Sequence, residues 1–316
     1  MERRIVVTGA AGFVGSNLAR HLLNRGYTVR GIDNLSAGTL ENLDPRVEFY
    51  EADIRSAEIL PIFEGANAVF HLAAKNCLPE CARLPLETAN INVVGTVNVL
   101  EAARRANVPK FIFADTSAEY EGISEFPTGE KNVRPLGVYA ASKHSGATFC
   151  ESYRELYGMK VVILRYFNVY GPAQDWRRVI PPVMSSFILR MLQGERPVIY
   201  GTGERRRDFV YVDDVNDFHV LALEDGRADN RTFNVGSGVN FSVKEIYALV
   251  ESLLQTGLQP LYQPELPGEA EMTLADLASS AQLGWKPRVS ILEGLSRTIE
   301  YLQSRVVKAK ASFPGA

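Results

Sequence analysis

Two short stretches carry side chains whose types and spacing could do proton chemistry. The first, "YAASK", places Tyr139 and Lys143 four residues apart, and this spacing puts both side chains on one face of a helix. A tyrosine is a poor base at neutral pH, because its pKa is about 10, but a nearby ammonium favours its phenolate form. The pair therefore predicts a tyrosine general base that is supported by a lysine.

The second stretch, "FADTSAEYEG" at 113–122, opens apolar and turns polar at Thr116. In an open parallel sheet, ligands bind outside the carboxyl ends of the strands, so a hydroxyl just past a strand is placed to meet a substrate. For Ser117, local turn hydrogen bonding is the favoured interpretation. Glu119 is a carboxylate that could add a second proton-transfer group.

A third stretch, "VVTGAAGFVGSNLA", has the features of a dinucleotide site. Gly9, Gly12 and Gly15 follow a β-rich run and open a helical pattern. Small residues there allow a tight turn and a close approach of the backbone to a pyrophosphate at the helix N-terminus. Asp33 ends the next β-rich run, where a carboxylate accepts the ribose hydroxyls and repels a 2′-phosphate, so NAD is favoured over NADP. Asp53 ends the third run and is expected at the adenine edge.

The elements that position these residues alternate along the first 170 residues. Helical patterns cover 14–26, 92–107 and 139–158, with β-rich runs between them. This alternation predicts an α/β fold with a doubly wound parallel sheet. The predicted domains are a Rossmann domain over 1–170, to which 208–236 returns, a smaller C-terminal α/β substrate domain from 171–207 and 237–302, and a C-terminal tail over 303–316.

Composition narrows the class of protein. The chain has 316 residues, 46% of them hydrophobic and 22% charged, with a formal net charge of −3. This balance gives no reason to expect a nucleic-acid or membrane partner, and a cytoplasmic location is expected. The three cysteines are too few for a disulfide framework, and Cys77 and Cys81 lack a nearby histidine, so no metal site is predicted. All four histidines are interpreted as structural.

Segments along most of the chain resemble one family. They are "TGAAGFVGSNL", "DNLSAG", "HLAA", "NVVGTVNVLEAA", "YAASK", "RYFNVYGP", "RRDFVYVDDV", "FNVGSG" and "LGWKP", in this order. Together they resemble an extended short-chain dehydrogenase/reductase of the NAD-dependent nucleotide-sugar epimerase and dehydratase family, closest in motif to UDP-hexose 4-epimerases. The resemblance implies NAD held through turnover, a nucleotide diphosphate sugar as substrate, and a homodimer formed through helices 92–107 and 139–158.

The resemblance also implies roles for individual positions. Thr116 hydrogen-bonds the sugar hydroxyl and passes its proton to Tyr139, with Lys143 completing the catalytic set. Asn168 and Arg207 meet the diphosphate, and Tyr200 lies beside the base. NAD contacts fall on the following residues: Gly9, Gly12, Phe13, Val14, Gly15, Asp33, Asn34, Ser36, Gly38, Asp53, Ile54, Leu72, Ala73, Ala74, Asn92, Tyr139, Lys143 and Tyr166.

The residues after Thr116 discriminate between reactions. Dehydratases that this chain resembles carry Asp-Glu there and decarboxylases carry Ser-Glu, whereas this chain carries Ser117-Ala118. The next carboxylate, Glu119, comes one position late, and an extended segment would turn it to the other side from Ala118. Elimination needs an acid–base pair beyond the tyrosine. Inversion at C4 of the sugar is therefore favoured.

Three positions bear on the substrate. Leu266 stands where an arginine normally grips the diphosphate, and Arg205, Arg206, Arg177 or Arg178 is expected to compensate. Thr273 stands where 4-epimerases gate the sugar 2-substituent, and its small size predicts tolerance of an N-acetyl group. Lys75, just after "HLAA", is predicted to face the NAD phosphate or the sugar, with a solvated loop lysine as the equal alternative.

Other functions remain open at this point. A decarboxylase or 4,6-dehydratase could use the displaced Glu119. A reductase that releases its product is disfavoured by Asp33. A nonenzymatic NAD-binding sensor would not need Thr116, Tyr139 and Lys143 together.

Overall fold

The computed structural model describes residues 3–175, 181–265 and 270–312. Its strands are, in chain order, β1 (Arg4–Thr8), β2 (Thr28–Asp33), β3 (Glu48–Glu51), β4 (Ala68–His71), β5 (Lys110–Thr116), β6 (Lys160–Tyr166), β7 (Asn168–Tyr170), β8 (Val198–Tyr200), β9 (Arg206–Tyr211), β10 (Arg231–Val235), β11 (Asn240–Ser242) and β12 (Leu261–Gln263). Its α-helices are α1 (Phe13–Asn24), α2 (Leu78–Arg83), α3 (Pro85–Ala89), α4 (Thr96–Arg105), α5 (Val138–Tyr157), α6 (Val183–Leu192), α7 (Val212–Glu224), α8 (Val243–Leu254), α9 (Ala278–Ala281) and α10 (Ile291–Ser312).

Seven strands form one parallel sheet in the order β10-β6-β5-β4-β1-β2-β3. All seven residues of β5 are buried, which is typical of a parallel strand covered on both faces. One apolar cluster covers one face and contains Leu18 of α1 and Phe218 of α7. A second cluster covers the other face and contains Leu100 of α4 and Ala147 of α5. The predicted doubly wound fold is confirmed.

The strand order reverses beside β1 and places the carboxyl ends of β1, β4, β5 and β6 side by side. A dinucleotide binds at this kind of switch point in an open sheet. The third apolar cluster lies outside the large sheet and joins α6, α8, α10 and the small sheet β11-β9-β7. The large sheet thus presents the carboxyl ends of these strands as the expected binding edge, and the smaller body is a separate layer of helices and strands.

The β-rich stretch after α5 forms two strands, and β7 pairs with β9 in the small sheet instead of extending the large one. Within 208–236, α7 and β10 join the large body. β9 pairs with β7 and β11 in the small sheet and contributes Val210 to the first apolar cluster of the large one. The tail predicted from 303 continues α10 as far as Ser312, in a stretch that contains no proline or glycine.

No helix within the described ranges is long and apolar enough to cross a membrane. The cytoplasmic location and the domain boundaries stay predictions.

Candidate functional site

The glycine turn after β1 has the backbone geometry of a phosphate cradle. Gly9 has φ +71°, and a Cβ on it would lie 2.9 Å from the Ala73 nitrogen. A Cβ on Gly15 would lie 2.0 Å from the Gly9 oxygen, so α1 could not approach the turn. α1 begins at Phe13 after Gly12, with no side-chain cap on its first N–H groups. These residues fit a dinucleotide pyrophosphate, which accepts such N–H groups.

Asp33 lies at the end of β2 next to this turn. Its Oδ2 accepts the Ala11 N–H at 3.0 Å, and its Oδ1 accepts the Leu35 N–H at 2.8 Å. Burial raises the pKa of this carboxyl, and the backbone N–H groups oppose the rise by stabilising its ionised form. Each carboxylate oxygen keeps a second lone pair, so the side chain can still accept ribose hydroxyls.

The loop after Asp33 is tied to the end of β3. Asn34 donates to Asp53 Oδ2 at 2.9 Å, and Arg55 forks onto the same carboxylate at 2.8 and 2.7 Å. The Arg55 hydrogen bonds hold the pKa of Asp53 well below its usual range. Ser36 N–H in turn donates to Asn34. Asp53 therefore fixes the loop, and its predicted contact with adenine stays a prediction.

The strand end "HLAA" is held by a buried hydroxyl–imidazole chain. His71 Nδ1 lies 2.7 Å from Thr8 Oγ1, and His71 Nε2 lies 3.0 Å from Thr96 Oγ1. Burial lowers the pKa of His71 to about 3, so the ring is neutral. The Thr8 hydroxyl accepts the N–H groups of Leu72 and Ala73 at 3.2 Å each. The chain thus fixes two of the predicted NAD contacts.

Asn92 and Lys75 connect this strand end to α5. The Asn92 side chain bonds the Lys75 N–H at 2.8 Å and the Lys75 carbonyl at 2.9 Å, and it donates to Ser142 Oγ at 2.9 Å. Both amide hydrogens are used in the protein, so only its oxygen could accept from NAD. Lys75 was expected to face the NAD phosphate or sugar, but its ammonium lies 3.5 Å from Glu80 and 3.3 Å from Glu87. The two short helices α2 and α3 bring these carboxylates to it.

Thr116, Tyr139 and Lys143 come from β5 and the α5 helix that packs on it. The Thr116 hydroxyl accepts the Ala118 N–H at 3.1 Å, which leaves its own hydrogen to donate. Lys143 is buried with Nζ 4.1 Å from the centre of the Phe113 ring, and burial lowers its pKa to about 8. Tyr139 is half-buried one position into α5. The transfer of a proton from a sugar hydroxyl to Tyr139 stays a prediction.

Tyr166 lies directly opposite Thr116 in the sheet register. Its hydroxyl is 2.5 Å from Nε2 of the buried His219, whose neutral state follows from burial lowering its pKa to about 3. Burial and the nearby Asp115 and Tyr139 raise the pKa of Tyr166. Its predicted contact with NAD stays a prediction.

Glu119 does not follow the expected extended geometry. Residues Ser117–Tyr120 form a 3₁₀ turn that Thr116 caps, because the Thr116 side chain accepts the Ala118 N–H. The turn carries Glu119 into the core, where it is 0% exposed and lies 3.0 Å from Arg165 Nη2. The segment is therefore not extended at Glu119, and the carboxyl is directed to Arg165 inside the core.

The sequence reasoning missed the ion pair behind this turn. Asp115 and Arg165 face each other in the β5–β6 register, with Arg165 Nε 2.9 Å from Asp115 Oδ2. Arg165 Nη1 also donates to the Tyr120 hydroxyl at 3.1 Å. The sequence does carry a signal for this pair, because the apolar runs "KFIFAD" and "KVVILR" end in opposite charges. An unpaired charge is seldom buried, so two such neighbouring strands indicate an ion pair.

The predicted diphosphate and sugar contacts gather around β9. Asn168 donates to the Asp208 carbonyl at 3.2 Å, and Thr273 accepts the Asp208 N–H at 3.1 Å. Arg207 donates to the Arg206 carbonyl at 3.0 Å. Asp208 itself accepts N–H groups of Ser237, Gly238 and Ala275, which fixes the loops around β9.

The other residues predicted to contact the substrate are Tyr200 and the arginines expected to replace the missing diphosphate contact. Tyr200, at the end of β8, is 46% exposed and can meet a base. Arg206 is engaged by Asn240 and Glu245, and Arg205 lies 2.7 Å from Glu265. Leu266, Arg177 and Arg178 lie outside the described residues. Within the described part of the chain, no group of three His, Cys, Asp or Glu side chains is arranged to hold a metal ion.

Comparisons with known proteins give a consistent result. The model of the NAD dependent epimerase/dehydratase family matches residues 5–236. The UDP-glucose 4-epimerase of Mycolicibacterium smegmatis is 35% identical over 312 residues, which are 96% of this chain and 99% of that protein. The Thermotoga maritima UDP-glucose 4-epimerase, solved with UDP-glucose, has a TM-score of 0.93 at 38% identity, covering 96% of this chain and 99% of that one. The Thermus thermophilus UDP-glucose 4-epimerase, solved with NAD, has a TM-score of 0.87 at 34% identity, covering 95% and 99%.

Proposed function

This chain belongs to the NAD dependent epimerase/dehydratase family, and we propose that it inverts C4 of a UDP-hexose. It is an NAD-dependent isomerase of nucleotide sugars. The observation that carries the choice of reaction is the burial of Glu119. A dehydratase or decarboxylase reading of this sequence required that carboxylate beside the sugar, and it lies in the core instead.

The chain's own residues supply binding, orientation and proton transfer. The glycine turn and Asp33 would hold NAD, which when bound takes up the C4 hydride and returns it. The Thr116 hydroxyl is free to donate its hydrogen, and Tyr139 accepts the proton of the sugar C4 hydroxyl directly or through Thr116. Lys143 favours the phenolate by its charge. After the sugar turns about its diphosphate, the opposite face of C4 is turned to the cofactor, and the same residues return the proton to the C4 oxygen.

The substrate side of the proposal depends on the residues around β9. In this proposal Asn168 and Arg207 meet the diphosphate, and the 46% exposure of Tyr200 supports packing of its ring against the uracil. Thr273 is small and its hydroxyl is directed to the Asp208 N–H, which supports room for a hydroxyl or an N-acetyl group at C2. We propose UDP-glucose and UDP-galactose as the primary pair, with the N-acetylhexosamine and uronate forms as further substrates.

A homodimer through α4 and α5 is part of the proposal. The exposed surface of α5 carries Leu156 at 73%, Tyr157 at 53% and Phe149 at 40% exposure, and Val94 near α4 is 53% exposed. An apolar face of this kind on two neighbouring helices supports a buried interface between two copies.

The test is incubation of the NAD-loaded enzyme with UDP-glucose, UDP-N-acetylglucosamine and UDP-glucuronate, followed by NMR. The proposal expects the C4 epimer of at least UDP-glucose, with no change in carbon number or oxidation level. Tyr139→Phe is the matched inactive control. Release of CO₂, or of water with formation of a 4-keto-6-deoxy sugar, as the main product would overturn it.

A further inference from the structure

A buried group of charged and polar side chains lies directly behind Thr116. Asp115 precedes Thr116 on β5 and is 3% exposed, while Glu119 follows it in the 3₁₀ turn and is 0% exposed. Both carboxyls contact one guanidinium, that of Arg165, which is 6% exposed. Two carboxyls thus bracket Thr116 and are tied to the same cation on the neighbouring strand.

The hydrogen bonds of this group are unbalanced if both carboxyls are ionised. Arg165 donates to Asp115 Oδ2 at 2.9 Å and lies 3.0 Å from Glu119 Oε2. Glu119 Oε2 also lies 3.3 Å from Nδ1 of His144. The other two oxygens, Asp115 Oδ1 and Glu119 Oε1, are buried and have no hydrogen-bond partner among the described residues. Leaving such oxygens unpaired in the core is costly.

We propose that Asp115 and Glu119 share one proton, carried by Glu119 Oε1 and donated to Asp115 Oδ1, and that this carboxyl pair with Arg165 holds Thr116 in place. One added hydrogen satisfies both unpaired oxygens. It also leaves one negative charge opposite the one guanidinium.

The charges around the pair agree with this assignment. Burial, and then the negative charge of the neighbouring Asp115, raise the pKa of Glu119 well above its usual range. Like charges that close together cannot both ionise in a buried site. The titratable and charged groups facing the pair are Arg165 and Tyr166 on β6, Lys143, His144 and Cys150 on α5, and Tyr120 in the turn.

The proton shared by Asp115 and Glu119 can exchange with solvent, and its presence affects the charge around Tyr139. His144 is 40% exposed and, as the Nδ1–H tautomer, donates to Glu119 Oε2, so proton exchange with water can pass along this side chain. A neutral Glu119 leaves the charge of Lys143 available to Tyr139. If the pair lost its proton, a second negative charge would attract Lys143 and push apart the two carboxyls that bracket Thr116. Asp115, Glu119 and Arg165 are therefore positioning residues for the proposed reaction.

Infrared difference spectroscopy of the NAD-loaded enzyme at neutral pH tests the shared proton without reference to activity, so its outcome is independent of the proposed function. Wild type minus E119Q and wild type minus D115N should each show the C=O band of one protonated carboxylic acid, shifted in D₂O. The band should be lost in both variants, because a single carboxyl beside Arg165 ionises. E125Q, at an exposed carboxylate, is the control and should show no such band.

Absence of the band from wild type would overturn the proposal, as would its loss in only one of the two variants. The positioning role has its own readout, which is the kcat of the conservative variant. E119Q can still donate to Asp115, so it should keep at least about tenfold more kcat than E119V. Equal kcat in E119Q and E119V would overturn the positioning role.

Discussion

Tyr139 is the residue on which the proposed proton transfer depends. The Tyr139→Phe variant keeps the ring and loses only the hydroxyl, so kcat should fall by about 10²- to 10⁴-fold, the range for a lost acid–base group. The NAD content of the purified protein should equal that of wild type. Tyr153→Phe on the same helix, whose hydroxyl contacts Glu101, is the matched control and should stay within about twofold of wild type. A Tyr139→Phe enzyme within twofold of wild type would contradict the assignment.

Lys143 is expected to lower the stability of the folded protein while it supports catalysis. Burial lowers its pKa from 10.5 to about 8, so the folded state disfavours the charged form. For a lysine whose pKa is lowered by folding, this cost is full below the folded pKa and fades as the pH rises towards the unfolded value. Lys143→Met should therefore stabilise the NAD-free protein below pH 8, by up to about 3 kcal/mol, while kcat falls.

Denaturant unfolding of the NAD-free Lys143→Met and wild-type proteins at neutral and strongly alkaline pH measures this difference. The gain should shrink as the pH approaches 10.5. A variant that is less stable than wild type at neutral pH would show that the contact of the ammonium with the Phe113 ring outweighs the cost of burial.

At the scale of elements, the turn between β1 and α1 depends on the absence of one side chain. Gly15→Ala would place a Cβ 2.0 Å from the backbone oxygen of Gly9, and backbone cannot yield as a flexible side chain can. The helix must move from the turn, so NAD content should fall at least tenfold, with a lower melting temperature. Gly226→Ala, where a Cβ meets nothing within 4 Å, is the control and should retain NAD. Wild-type NAD content in Gly15→Ala would be incompatible with the proposed cradle.

The turn that carries Glu119 should make stability depend on pH. Burial, and then the neighbouring Asp115, raise the pKa of Glu119 well above its usual value of 4.5. Between its usual and its raised pKa the folded protein holds a proton that the unfolded chain has released, so the free energy of unfolding falls as pH rises, by at most about 1.4 kcal/mol per pH unit. E119Q lacks this dependence, so its free energy of unfolding should gain on that of wild type as the pH rises above 4.5. Parallel curves for the two proteins in denaturant unfolding would contradict the buried proton.

How far the sequence could predict these elements depends on where the determining contacts lie. The β1–turn–α1 unit and the Tyr139–Lys143 helix are local, so periodicity and glycine spacing were enough. The orientation of Glu119 depends on a contact that is distant in sequence, because its partner Arg165 lies on another strand, β6. The ion pairs of Lys75 with Glu80 and Glu87 could not be predicted from the sequence either, because they depend on the placement of the two short helices α2 and α3.

At the scale of the whole molecule, the C-terminal helix connects the two halves of the cleft. Arg305 of α10 lies 2.9 Å from Glu41, which follows the loop after β2. The helix packs in the smaller body through Leu295 and Ile299, and its Tyr301 and Arg305 line a pocket together with Gly12 of the turn after β1. Arg305, which belongs to the predicted tail, therefore contacts the large body.

The proposed dimer makes a prediction at the same scale. Leu156→Glu places a charge on the exposed apolar face of α5 and should give a monomer in analytical ultracentrifugation at micromolar concentration. Leu292→Glu on α10, where Leu292 is 46% exposed, is the matched control and should leave the dimer intact. A wild-type protein that sediments as a monomer, or a Leu156→Glu protein that remains a dimer, would contradict the interface.

A UDP-hexose labelled with deuterium at C4 tests the proposed inversion at C4 most directly. If the hydride leaves C4 and returns to the other face within one closed site, NMR will show the C4 epimer with deuterium still at C4 and the other carbons unchanged. Washout of the label into water, its appearance in released reduced cofactor, or a product lacking carbon dioxide or water would contradict inversion at C4 by the Thr116, Tyr139 and Lys143 site.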